Sequence, residues 1–387
     1  MCLRPTGCAR PAGRDQRPAD VTRGASVVGQ PVTSVDTPAL VVDLDLLDGN
    51  IARIADACRD AGVAWRPHIK GIKVPEIATR CITAGAIGVT CAKISEAEVF
   101  AAAGITDILI ANQVVGPTKL QRLMAMRRVA DVIVAVDHVD HVRALGVAAR
   151  AVDETLRVVV EVDLGLGRAG LLPGPGVVAM ARAVGEESGL VFAGLMGWEA
   201  RTTTIADPEA KVLAVQAAVA GIVSSANACR AAGLRVDIVS CGGTGTYPIT
   251  ARIPGVTEIQ AGGGVLSDVR YRTAFHIDHP YALTVRSTVT SRADPRRIVC
   301  DAGRKAMTTD GGTPLPLGLT GVRALTLSAE HTTIELEEPT GHPWIGEQLV
   351  FAVGYGDTTV NLHDELIAVR DGIVTAIWPI AARGRIH

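Results

Sequence analysis

From residue 36 onward, short runs of β-branched and aliphatic residues alternate with longer stretches whose apolar positions recur every three or four residues. The short runs are ALVVD (39–43), VAWRPH (63–68), GVTCA (88–92), DILIA (107–111), DVIVAV (131–136), RVVVEVD (157–163), LVFAGLMG (190–197), RVDIVS (235–240) and VTEIQA (256–261). The stretch after the first run places Leu47, Ile51, Ile54 and Ala55 on one face and stops at Gly62, which predicts a helix. Further helices are predicted over 74–84, 94–103, 138–150, 175–188 and 206–232. Strands separated by helix-length segments need crossover connections and so predict a parallel sheet. Eight such units predict an α/β fold closed as a (β/α)8 TIM barrel over residues 36–275.

The pattern changes past residue 275. YALTVRSTVTSR, RRIVCDAG, ALTLSAEHTTIELEE, QLVFAVGYG and ELIAVRDGIVTAIWPI are strand-like runs with turn signals and little helix. They predict a C-terminal all-β domain over 276–387, to which the segment near 25–44 can add a strand. Residues 1–35 mix Arg, Pro, Gly and small polar residues without apolar periodicity and lack the apolar core of a secretory signal. They read as a disordered extension or a misplaced start.

Composition narrows the function. With 48% hydrophobic and 20% charged residues, the chain reads as soluble and globular. A net charge of −2 supplies no basic excess for phosphates, which argues against a nucleic-acid partner. No uninterrupted apolar run approaches the roughly 18 residues of a membrane span, so no membrane partner is expected. The eight cysteines form no CxxC pair, and buried free thiols in a reducing cytoplasm are the simple reading.

In such barrels the chemistry sits where the strands end. The run RPHIK delivers His68 and Lys70 there; DLGLGRAG delivers Arg168; GWEAR delivers Trp198, Glu199 and Arg201. The last two strands end in SCGGTGT and QAGGGVLSD. Gly242, Gly243 and Thr244, with Gly262, Gly263 and Gly264, let backbone N–H groups approach a phosphate closely, at the strands where this fold recurrently binds one. A phosphate site facing a strand-end lysine suggests pyridoxal 5'-phosphate, whose aldehyde condenses with a lysine amine and whose ring stabilises a carbanion.

The strings TPALVVDLDLLDGNI, RPHIKGIKVPEIA, VDLGLGRAG, CGGTGT, TEIQAGGG, DAGRKAMTTD and DTTVNLHDEL resemble, in order, the D-threonine aldolase and D-serine dehydratase family, over roughly residues 36–387. The resemblance implies an alanine-racemase-like fold, Lys70 as the cofactor lysine, and Arg168 near the cofactor ring. It also implies a homodimer, with Asp301 and Lys305 near the subunit boundary. Three departures stand out. The family's metal pair, His-x-Cys or His-x-Asp, is here Tyr355-Gly356-Asp357. A phenol of pKa about 10 is a poor ligand near neutral pH, so Asp357 alone predicts weak or absent metal binding. His363 is read as structural. After the sixth strand the family's histidine is missing, leaving Glu199 as replacement base and Arg201 as a carboxylate binder. The family's Thr-His after the lysine is Gly71-Ile72.

The expected function is a lyase on β-hydroxy-α-amino acids, D-threonine aldolase-like. The alternatives are a D-serine dehydratase-like ammonia-lyase, a racemase or epimerase using Lys70 and Tyr355, and a cofactor-binding protein with little catalysis.

Overall fold

Strands that are apolar on both faces must lie between two packed layers. In a computed structural model describing residues 27–387, they form the wall of a barrel. After β1 (Ala39–Asp43) come β2 (Ala64–Trp65), β3 (Val89–Cys91), β4 (Asp107–Gln113), β5 (Asp131–Val136), β6 (Leu156–Val162), β7 (Leu190–Gly197), β8 (Ile238–Cys241) and β9 (Glu258–Ile259). Strands β2 to β9 make one parallel sheet in the order β2-β9-β8-β7-β6-β5-β4-β3. Backbone bonds from Ile87 to Trp65, Thr90 to Pro67 and Ile69 to Thr90 join its two ends. Pro67 has no N–H to continue the ladder, which is one reason β2 is shorter than the run 63–68 suggests. The Arg66 guanidinium, buried beside it, bonds Glu258 at 3.0 Å and Asp107 at 2.6 Å, tying the short strands β2 and β9 to β4.

Helices α1 (Leu44–Asp60), α2 (Pro75–Thr83), α3 (Ile94–Ala102), α4 (Pro117–Arg127), α5 (Val139–Arg150), α6 (Pro175–Glu186) and α7 (Pro208–Ala231) connect the strands. Pro75, Pro117, Pro175 and Pro208 open their helices, where a missing N–H costs nothing. Asp43 caps α1 through bonds from the N–H groups of Asp45 and Leu46, both 3.0 Å. Helix α7 qualifies the expectation about membrane spans. By length and apolar content its 24 residues could cross a bilayer. Here it packs against α6 and the strands β7 and β8, burying Val215, Val219, Ile222, Ala226 and Cys229, while much of its remaining surface is alanine.

The remaining strands are β10 (Leu283–Ser291), β11 (Arg297–Cys300), β12 (Leu315–Leu317), β13 (Val322–Leu327), β14 (Thr332–Leu336), β15 (Gln348–Ala352), β16 (Glu365–Arg370) and β17 (Ile373–Pro379). They form a second sheet in the order β13-β14-β11-β10-β1-β16-β17, with β15 on β10 and β12 on β15. Strand β10 alternates buried and half-buried positions, the period of a sheet with one covered face. β1 lies between β10 and β16, so both parts of the chain build this sheet. The predicted extension 1–35 falls partly outside the described residues. Its described part, 27–35, is ordered: Gly29 and Val32 donate to Val374 and Gly372, and Val32 and Val35 are buried. The two parts of the chain are joined where Val269 and Arg270, opening a short helix after β9, donate to Val353 and Gly354, just past β15, at 3.0 and 3.1 Å. That splice brings residues 355–357 to the barrel mouth.

Candidate active site

Because β2 to β9 are parallel, the segments following them converge at one end of the barrel. They enclose a cavity of about 360 Å3, lined among others by His68, Lys70, Arg168, Trp198, Gly242, Gly243, Thr244, Gly263, Tyr355 and Asp357. Lys70 Nζ lies 3.7 Å from Asp357 Oδ2 and 5.4 Å from the centre of the Trp198 ring. Gly71 makes room for that carboxylate: a Cβ there would come within 2.1 Å of Asp357 Oδ1. The departure from Thr-His to Gly71-Ile72 thus permits the Lys70–Asp357 approach. Burial, reinforced by the Lys70, Lys73 and Arg168 charges, holds the His68 imidazole well below its ordinary pKa, so His68 is neutral.

Arg168 sits on a turn in which Gly165 and Gly167 have positive φ and both donate to the Asp163 carboxylate. Its guanidinium lies 5.7 Å from the Trp198 ring centre and 3.9 Å from Glu161 Oε1. Glu161 is buried, which raises its pKa against the opposing bond from Gln113 and the Arg168 charge. Arg168 therefore faces the cavity with its charge only loosely paired.

The glycine loops form a close cradle. A Cβ on Gly243 would come within 2.9 Å of Trp198 Nε1, and one on Gly263 within 2.1 Å of the Tyr271 hydroxyl oxygen. The Gly264 N–H donates to Thr244 Oγ1 at 2.9 Å, locking the two loops together from just behind the lining. Among the described residues, the N–H groups of Gly243, Thr244 and Gly245 have no protein acceptor. Clustered free N–H groups in a small concavity suit a phosphate, and Lys70 in the same lining suits an aldehyde, so the residues present fit pyridoxal phosphate.

Two sequence expectations need correction. Glu199 does not reach the cavity. It is fully buried behind the loop, where Oε1 accepts from Thr246 and Thr250, each at 2.6 Å, and Oε2 from the Gly242 N–H at 3.3 Å. A carboxylate with all of these donors aimed at it is a strut for the loop and is not placed to take a substrate proton. Arg201 does not bind a carboxylate in the cavity either. It is exposed, and its Nε and Nη2 donate to the carbonyls of Gly165 and Leu166, propping the turn that carries Arg168.

The donor set around Asp357 does not fit a divalent metal. Burial and then the Asp357 charge push the Tyr355 phenol upward, further from a ligand's ionised state. His363 Nε2 is engaged with the Ala306 carbonyl at 2.8 Å. Asp268, buried and raised to about 7 chiefly by burial, has both oxygens taken by the N–H groups of Gly356 and Tyr271. Among the described residues no cluster of three His, Cys, Asp or Glu side chains could hold an ion. In the β domain, Asp301 accepts from Thr37, Ser287 and the Thr288 N–H, and exposed Lys305 pairs with Glu330; neither lines the cavity.

Sequence reasoning missed Gln113, Glu161, Arg270 and Tyr271, all on the cavity wall. Glu161 carried a signal, as the one charge inside VVVEV. Arg270 and Tyr271 carried none, because their placement depends on the splice to the second sheet.

Comparison with known proteins agrees with this fold. The family described as alanine racemase, N-terminal domain, matches residues 42–266, and a serine dehydratase domain matches 282–369. The chain is similar to D-threonine aldolase from Arthrobacter sp, at 37% identity over 92% of this chain and 95% of that one. It is also similar to 3-hydroxy-D-aspartate aldolase from Paracoccus denitrificans, at 33% identity over 92% and 94%. The crystal structure of D-threonine aldolase from Filomicrobium marinum superposes with a TM-score of 0.89 at 36% identity, covering 93% of this chain and 99% of that one. The chain belongs to the D-threonine aldolase family of pyridoxal-phosphate-dependent lyases, on the alanine-racemase-like fold.

Proposed function

We propose that this protein cleaves β-hydroxy-D-amino acids to an aldehyde and a smaller amino acid, with its cofactor on Lys70 and without a divalent ion. The observation carrying the reading is the pairing of Lys70 with Asp357, 3.7 Å apart in the cavity that the Gly242–Thr244 cradle also lines. When bound, pyridoxal phosphate supplies the electron sink for the pair left by Cα–Cβ cleavage. The free N–H groups of Gly243, Thr244 and Gly245 would hold its phosphate, in the cavity that Trp198 and His68 also line. Arg168, loosely paired and reaching over Trp198, orients the substrate's α-carboxylate. Asp357 takes the proton of the β-hydroxyl; it faces the cavity, whereas Glu199 is tied behind the loop. The D configuration is supported by the names of the relatives, which act on D-amino acids.

A homodimer and a cytoplasmic location belong to the same proposal. The six described cysteines, all free and buried, support a reducing compartment, and light scattering of the purified protein tests the dimer.

The test is direct. Borohydride reduction of the holoenzyme should leave the cofactor on Lys70, and D-threonine or D-phenylserine should release aldehyde. A tag on another lysine, or ammonia and keto acid in place of aldehyde, would overturn the reading.

A further inference from the structure

Among the described residues, one charged side chain in the cavity makes no side-chain hydrogen bond and no ion pair within 4.0 Å. Arg270 lines the wall, and its Nε is buried without a hydrogen-bond acceptor. Its guanidinium carbon lies 5.0 Å from the Tyr355 ring centre and 5.4 Å from that of Phe275, so two aromatic rings border it. Among the described residues no carboxylate oxygen lies within 4.0 Å of it; by contrast, the guanidinium of the neighbouring Arg272 pairs with Asp278. An arginine bordered by aromatic rings, with its donors left over, suits a carboxylate.

We propose that Arg270 binds a second carboxylate on the substrate, so that the preferred substrates are acidic β-hydroxy-D-amino acids of the 3-hydroxyaspartate type. The inference rests on the lyase reading above and names the substrate class of that site. Its position selects the distal group. Asp357 stands beside the Lys70 amine, Tyr355 is next along the same segment, and Arg270 lies across the Tyr355 ring. The α-carboxylate stays at the amine end, where Arg168 is available, and the group that reaches Arg270 is carried on the β-carbon. The phosphate has its own N–H cradle in the glycine loops. Arg270 also places a fixed positive charge near Asp357, which disfavours a divalent cation there and supplies cationic recognition without one.

The experiment compares holoenzyme, Arg270→Gln and Arg270→Lys on 3-hydroxy-D-aspartate and D-threonine. Aldehyde release gives kcat/KM, and cofactor absorbance gives substrate binding and cofactor affinity. Losing a buried charged partner of a carboxylate costs about 30-fold or more. The expected result is that R270Q lowers kcat/KM for the acidic substrate at least about 30 times further than for D-threonine, through KM, with partial rescue in R270K. Equal losses on both substrates would overturn the assignment, and so would a loss confined to cofactor affinity. A wild-type enzyme that cleaves D-threonine but not 3-hydroxy-D-aspartate would overturn it while leaving the lyase reading intact. If neither substrate is cleaved, the lyase reading fails, and the absorbance titration still decides: weaker 3-hydroxy-D-aspartate binding in R270Q supports the carboxylate site, and unchanged binding refutes it.

Discussion

Replacing Glu199 by glutamine separates a strut from a catalytic base. The carboxylate is fully buried and receives two hydroxyl bonds at 2.6 Å and one backbone N–H at 3.3 Å. In the variant the amide oxygen keeps Thr246 and Thr250 as donors, but each bond drops from charge-assisted to neutral, a loss of about 1 kcal/mol apiece. The amide nitrogen then faces the Gly242 N–H, two donors in contact, leaving a buried donor unpaired at about 1–3 kcal/mol. Together these destabilise the loop by about 3–5 kcal/mol. If about 1.5 kcal/mol of that is recovered only by reordering the loop when phosphate binds, cofactor affinity falls about tenfold.

The assay is a pyridoxal phosphate titration of the apoenzyme followed by its absorbance, with thermal unfolding of the same samples. E199Q should unfold at a lower temperature, bind cofactor about tenfold more weakly, and regain most of its turnover at saturating cofactor. If E199Q binds cofactor as tightly as wild type and unfolds with it, yet loses turnover by orders of magnitude, Glu199 belongs to the chemistry and the strut reasoning is wrong.

Gly243→Ala places a methyl group within 2.9 Å of Trp198 Nε1, so the indole must move; weakened cofactor binding and a shifted cofactor absorbance band are expected, and an unperturbed spectrum would count against the cradle. Arg201→Ala frees the Gly165 and Leu166 carbonyls on an exposed surface and should lower kcat/KM only a few-fold, equally for acidic and neutral substrates; a loss selective for acidic ones would restore Arg201 as a carboxylate binder. Chelation followed by added Mn or Zn should change turnover less than about twofold, because the Asp357 neighbourhood lacks a donor set; a large restoration by metal refutes this. Burial lowers the pKa of His279, which bonds Gly264 and Tyr247, so the folded state keeps it neutral while the unfolded chain protonates it near 6.5. Its stabilisation is complete above that pH and is lost as pH falls toward the folded-state pKa, by at most about 1.4 kcal/mol per pH unit. The melting temperature of His279→Gln should therefore vary less than that of wild type between about pH 7.5 and 5.5, and an identical slope would refute the assignment.

What the sequence made legible follows from which interactions were local. The runs 131–136 and 190–197 match β5 and β7 residue for residue, because a strand buried on both faces has no register to choose and ends where the apolar residues end. Lys70, Arg168 and the glycine loops could be placed at the mouth because a parallel barrel sends every strand end there. The same rule misled at GWEAR. It set Trp198, Glu199 and Arg201 at the right end of the barrel but was silent on direction. Only Trp198 turns into the cavity, while Glu199 finds Thr246 and Thr250 behind the loop and Arg201 finds two carbonyls outside it. Those partners lie some 35 to 50 residues away along the chain, so no local pattern could announce them. Arg270 is the extreme case. Its surroundings exist only because Val269 and Arg270 bond to Val353 and Gly354, which follow β15 of the second sheet, and this sets Tyr355 beside its guanidinium. The tyrosine at the family's metal position and the arginine at 270, far apart in sequence, are thus one contact in space. Because the Tyr355 ring borders the Arg270 guanidinium, a variant at either position disturbs the other, and the two should be mutated singly and together as a pair.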